Sequence, residues 1–261
     1  MKNIVLLLTA FLLTTAIQAT HLLGGAIGYN FKSATAADIT YTVSVTLYRD
    51  CEASTVQFDN TVSLAIYNVS NKQLNKSYTM NYKNSEYLPS NCNSNFTICI
   101  QSVLYEKDIT IENNTAFYLF SSTCCRTSLF NTFLNPSPSI GNSLVLISYL
   151  PSSKYKNNSP QFNFKPTTLL ESNIPSFADW SASDVDGDSL VYKIIPPFSG
   201  SQNYSLPEPS KTLNDTGLIK YNQGYSSIFP LGILSEIKIN PTNGIISYFN
   251  PMTGNYAFCT K

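Results

Sequence analysis

The stretch Ile39–Tyr48, ITYTVSVTLY, puts Ile39, Tyr41, Val43, Val45 and Leu47 on one parity and Thr40, Thr42, Ser44 and Thr46 on the other. Successive side chains of a strand point to opposite faces, so this alternation predicts a strand with one buried face and one wet face. The same period recurs at Val62, Leu64 and Ile66, and short β-rich runs follow at 96–105 (FTICIQSVLY), 116–125 (AFYLFSSTCC) and 143–150 (SLVLISYL). Asn, Ser and Pro clusters separate them. Helical periodicity is confined to the first residues. Many short strands without intervening helices predict an all-β protein of two consecutive β-sandwich, immunoglobulin-like domains.

The start, MKNIVLLLTAFLLTTAIQAT, combines Lys2, an apolar run from Ile4 to Leu13 and a small residue, Ala19, before a cleavage point. This pattern predicts a secretory signal peptide over residues 1–19, since the apolar run is shorter than the ~20 residues of a spanning helix. No later segment is apolar for long enough to span a bilayer. An exported chain, secreted or held at the outer cell surface, is the expectation.

The polar stretch Pro151–Pro160, PSSKYKNNSP, holds little to bury and marks the domain boundary. The first domain is expected over 20–155 and the second over 156–261. In the second, strands are expected near 161–164, 176–181, 189–195, 236–239, 245–249 and 256–259, with a turn at Pro241–Gly244 (PTNG). The Ser-, Asn- and Pro-rich stretch 196–229 reads as mostly loop.

Composition narrows function. Lys plus Arg is 16 and Asp plus Glu is 16, for a formal net charge of +0, so no excess of positive charge exists to hold a nucleic-acid backbone. Charged residues are only 12% while Tyr is 17 and Phe 15, so the surface must be built from amides, hydroxyls and aromatics. The single histidine, His21, lies at the expected mature N-terminus, where chains are usually mobile, which disfavours a Ser-His or Cys-His catalytic site. Glu52, Asp59, Glu86, Glu106 and Glu112 show no spacing that singles out a glycosidase pair. A non-enzymatic module is expected.

The sharpest local signal is Asp184-Val185-Asp186-Gly187-Asp188. Three carboxylates at alternate positions repel one another unless a hard cation sits among them or backbone N–H groups offset the charge. An EF-hand is excluded, because its sixth and twelfth positions fall on Ser189 and Ile195. Two readings stay open: a Ca²⁺ site formed by Asp184, Asp186 and Asp188 with Asp179 as an extra ligand, or an acidic turn whose side chains bond nearby backbone N–H groups.

The six cysteines, Cys51, Cys92, Cys99, Cys124, Cys125 and Cys259, all follow the leader and are disulfide candidates. No zinc-ligand spacing occurs among them. Cys92 and Cys99 bracket a short loop and are expected to pair. Cys124 and Cys125, adjacent, need different partners, one of them Cys51, with the other and Cys259 unmatched or joined to each other.

Taken in order, THLLGGAIGY (20–29), YTVSVTLYRDC (41–51), STCCR (122–126), NNSPQF (157–162) and SASDVDGDSLVY (181–192) resemble the N-terminal region of large secreted cell-surface proteins of Bacteroidetes, described as gliding-motility-associated or PKD-repeat adhesins. The segment 231–258 resembles the closing half of a cadherin- or Ig-like repeat. The resemblance implies adhesin-like binding of surface glycans or proteins; a plain structural spacer and a secreted carbohydrate-active hydrolase are the alternatives. Ala26, Phe31, Leu170 and Ile195 depart from the family pattern where it has Glu or Cys, so its disulfide pattern does not carry over whole. Family members continue beyond the point where GNYAFCTK ends, so the second domain is expected to be incomplete.

Overall fold

The structure, a computed structural model, describes residues 22–51, 57–88, 99–124, 126, 143–152, 156–163, 171–200, 213 and 217–261. The leader, His21, Glu52, Cys92, Cys125 and Leu170 lie outside the described residues. Among the described residues there is no α-helix, and none long and apolar enough to cross a membrane. The chain is all-β.

Strands β1 (Leu22–Ala34), β2 (Asp38–Asp50), β3 (Thr61–Asn68), β4 (Leu74–Leu88), β5 (Ile100–Glu112), β6 (Phe117–Thr123) and β7 (Leu144–Leu150) form one antiparallel sheet in the order β1-β2-β5-β4-β3-β6-β7. The alternation of 39–48 plays out as expected: Ile39, Tyr41, Val43, Val45 and Leu47 are buried and the intervening Thr and Ser residues are not. The sheet folds over on itself, and its terminal strands, β1 and β7, pack together. Gly25 permits that closure. A Cβ there would lie 2.6 Å from the Thr46 carbonyl oxygen and 3.1 Å from the Leu146 side chain.

Inside the fold, Tyr41, Val43, Val45, Leu64, Ile66, Met80, Tyr105, Ile109, Phe117 and Leu119 make the main core. Outside it, Ala65, Tyr67, Phe120 and Val145 form a second apolar face, covered by Phe198 and Leu213 from the stretch read as loop. Burial on both sides explains why β3 carries Ala65, Ile66 and Tyr67 buried in succession. The wet face of β2 is held by hydroxyls instead: Thr40 and Thr110 share a hydrogen bond of 3.0 Å, and Thr42 Oγ1 donates to Asp108 at 2.7 Å.

The remaining strands are short. β8 (Gln161–Phe162) pairs with β10 (Ala182–Ser183), β11 (Ile194–Ile195) with β14 (Cys259–Thr260), and β9 (Ser176–Asp179) and β12 (Glu236–Ile239) flank β13 (Ile245–Phe249). Their core is separate: Ala178, Leu231, Ile246 and Tyr248, with Trp180, Ile237 and Phe258 packed against it. The turn at Pro241–Gly244 forms between β12 and β13. Asn240 Oδ1 accepts from Thr242 N–H at 2.9 Å, and Gly244 takes φ 74 in a spot where a Cβ would meet Trp180 O and Ser181 Cα, each at 2.9 Å. The expected strand 189–195 is shorter than its sequence implies: only Ile194–Ile195 joins a ladder. Just before it, Lys193 exchanges backbone hydrogen bonds with Lys261 at 2.8 and 2.9 Å, and Tyr192 N–H donates to Pro241 O at 3.0 Å.

The disulfide expectation needs correction. Cys51 pairs with Cys99, not with Cys124 or Cys125, and Cys99 is therefore not joined to Cys92. The cause is register: β2 and β5 are neighbours with Asp50 opposite Ile100, which sets the next residues, Cys51 and Cys99, face to face at a Cα–Cα distance of 5.2 Å. Cys124 is also disulfide-bonded, and Cys259 is a free thiol. Burial pushes the Cys259 thiol up and lowers the nearby Arg126 guanidinium to about 10.

Candidate functional site

The acidic turn 184–188 sits where the second half of the chain meets β1. Asp184 Oδ1 accepts hydrogen bonds from the N–H groups of Asp186 (2.8 Å) and Asp188 (3.3 Å), and Gly187, at φ 83, donates its N–H to Asp184 O at 3.3 Å. This is the side-chain-to-backbone turn that Asp forms readily. Asp186 turns outward and accepts from Asn158, both from its backbone N–H (2.6 Å) and from its Nδ2 (3.0 and 3.2 Å). Asp179 stands apart in role, its Oδ1 accepting from Ser181 N–H at 2.8 Å.

The other side of the contact is built from Asn157, Asn158 and Ser159, the polar run expected to be a linker. Ser159 forms a two-point bridge to β1: its Oγ accepts from Tyr29 N–H at 2.8 Å and its N–H donates to Tyr29 O at 2.9 Å. Gly28 makes room for it, since a Cβ there would lie 2.7 Å from Ser159 Oγ. Asn158 Oδ1 accepts from Phe31 N–H at 2.8 Å, and Asn157 Nδ2 donates to the Tyr29 hydroxyl at 2.8 Å. Two outward N–H donors of the edge strand, those of Tyr29 and Phe31, are thereby occupied. Tyr29 and Phe31 both pack edge-on against Tyr41, with centroids 5.4 and 6.2 Å away, so the clasp is anchored on the main core.

The result is a continuous chain of bonds from Phe31 through Asn158 to Asp186. Sequence reasoning picked out Asp186 but missed Asn158, because nothing local distinguishes an amide that clasps an edge strand from one in a solvated linker. Of the offsets to carboxylate repulsion named above, the backbone and amide donors are the one visible at Asp184 and Asp186. Among the described residues, no three of His, Cys, Asp and Glu converge in a way that would hold a metal ion. The carboxylates weighed for hydrolysis are placed apart in role: Glu106 pairs with Lys83, Glu86 accepts from Ser102 Oγ at 3.5 Å, and Asp59 offers its backbone oxygen to the Tyr105 hydroxyl at 2.6 Å.

Removing the amide that links the two sides should have a measurable cost. Asn158→Ala is expected to lower stability by about 1–2 kcal/mol, a fall in melting temperature of about 2–8 °C. Thermal melts in chelator and in millimolar Ca²⁺ check the cause. The clasp predicts that Asn158→Ala and Asp186→Ala lose similar amounts in both media, whereas a Ca²⁺-induced rise confined to chains with Asp186 would put a cation at the turn.

Comparison with protein-family models, with curated proteins and with solved structures finds no match to this chain.

Proposed function

We propose that the chain is a non-enzymatic, exported cell-surface module that binds surface glycans or proteins in the manner of an adhesin. The observation that carries the reading is the Cys51–Cys99 disulfide at one end of an all-β fold. Structural disulfides persist in oxidising compartments, which accords with the apolar leader in the sequence. The surface chemistry points the same way: few charges, many amides and hydroxyls, and exposed rings such as Tyr82 and Tyr87. The immunoglobulin- and cadherin-like character of the two units, and kinship with the large secreted proteins of Bacteroidetes, belong to this proposal.

A second reading, a spacer that projects other domains and binds nothing, is favoured by the Asn158–Asp186 clasp, which fixes the second half of the chain against β1. Adhesion separates the two. Beads carrying the purified chain should be retained on surfaces coated with neutral polysaccharide or protein, where a spacer leaves them in suspension.

A further inference from the structure

The inner face of the main sheet is apolar along most of its length and becomes polar at one end. On β2 the inward positions run Val45, Leu47, Arg49; on β5 the residues opposite them run Tyr105, Val103, Gln101. Arg49 is buried there, 3% exposed. Its Nε donates to Gln101 Oε1 at 2.8 Å, its Nη2 to Gln57 Oε1 at 3.2 Å, and its guanidinium carbon lies 5.3 Å from the Phe58 ring centre.

On β4 a bulge redirects the chain at this same end. Tyr82 faces Tyr105, Lys83 is the extra residue, and Ser85 faces Val103, so Tyr82 and Ser85 share the inner face although three positions separate them. In a regular strand they would point to opposite faces. β3 pairs with β4 only as far as Thr61 opposite Asn81, and past that point the inner face of β4 opens to solvent. Tyr82 is 46% exposed there, yet its ring is held: its hydroxyl donates to Ser85 Oγ at 3.1 Å and its plane lies at 86° to Tyr105. Gln101 Nε2 donates to the same Ser85 Oγ at 3.2 Å.

The opening is a cleft of about 210 Å³ lined by Gln57, Phe58, Asn60, Tyr82, Ser85 and Gln101. Among the described residues its lining consists of amides, a hydroxyl and aromatic rings. Such a lining matches a ligand that offers hydroxyl groups, each both donor and acceptor, around an apolar ring face. It is smaller than the roughly 300–1,000 Å³ of sites that enclose a small molecule, and suits one unit of an extended chain. The Cys51–Cys99 disulfide ties β2 to β5 one residue beyond Asp50 and Ile100, next to Arg49 and Gln101, and so stiffens this end of the sheet. Tyr87, opposite Gln101 on the same face, continues the aromatic surface outward.

We infer that this cleft is a binding site for a neutral carbohydrate chain, with Tyr82 as the stacking platform and Gln57 and Asn60 as the hydrogen-bonding groups; the inference rests on the adhesin reading above. The test is binding of the purified chain to immobilised mannan, galactan and dextran, with a mixed-sequence peptide surface alongside. At least one neutral polysaccharide should bind. Tyr82→Ala should weaken that binding about tenfold and Asn60→Ala several-fold, with melting temperatures confirming that both variants fold. Tyr82→Phe should keep most of the affinity, and Phe177→Ala, on the far unit, all of it. Unchanged binding in both cleft variants would move the sugar elsewhere and overturn the site while sparing the adhesin reading. Peptide binding that is lost in Tyr82→Ala, with none to the polysaccharides, would overturn the ligand class. Absence of polysaccharide binding in a chain whose beads still adhere would do the same.

Discussion

Replacing Cys51 and Cys99 together by Ser is expected to lower the stability of the fold by about 4 kcal/mol, the loop-closure value for a link spanning 48 residues. The melting temperature should fall by about 10 °C. The bond closes β2 onto β5 at their shared end, where Cys51 N–H also donates to Cys99 O at 2.9 Å. The loss therefore falls on the end of the sheet that carries Arg49, Gln101 and Tyr82. Thermal melts of the double variant against the oxidised parent measure it. A fall under about 1 kcal/mol would mean that the core alone holds β2 and β5 together, and that the unfolded chain gains little freedom when the link is cut.

Alkaline pH should unfold the chain. Burial pushes the Tyr29 hydroxyl up to about 12 and raises those of Tyr41, Tyr48 and Tyr105 as well. The fold therefore favours the neutral phenol. That preference is fully present below about pH 10, the ordinary value for an unfolded tyrosine, and is lost as pH rises through the folded-state values. Above pH 10 the unfolded chain releases protons that Tyr29 and Tyr105 retain in the fold, so stability falls as pH rises, by at most about 3 kcal/mol per pH unit for the two together. Urea unfolding at pH 9 and pH 11.5 should show this fall, and Tyr29→Phe should flatten it by one tyrosine's share. A stability constant across that range would mean the hydroxyls reach water in the folded chain.

Much of the fold was legible because its main signal is local. A strand with one wet face declares itself in its own ten residues, as 39–48 did, and the strands 236–239 and 245–249 with the intervening turn are equally self-contained. What was not legible is what joins distant segments. Cys51 and Cys99 meet because β5 inserts between β2 and β4, and no spacing within either segment announces that partnership. The bulge at Lys83 is likewise visible only in register with β5. For the acidic turn the residues were found but not their contact: Asp186 meets Asn158 across 28 residues of chain, through a run that looked like linker because its polar atoms are satisfied by an edge strand instead of water.

The binding account is tested most directly by retention of chain-coated beads on polysaccharide-coated glass under gentle flow, with liberated reducing ends assayed in the same chamber. The account predicts beads held on at least one neutral polysaccharide, released by the same polysaccharide in solution, with no reducing ends formed. Beads that wash away from every polysaccharide and protein surface would contradict it in favour of a spacer, and reducing ends accumulating beneath them would contradict it in favour of a hydrolase.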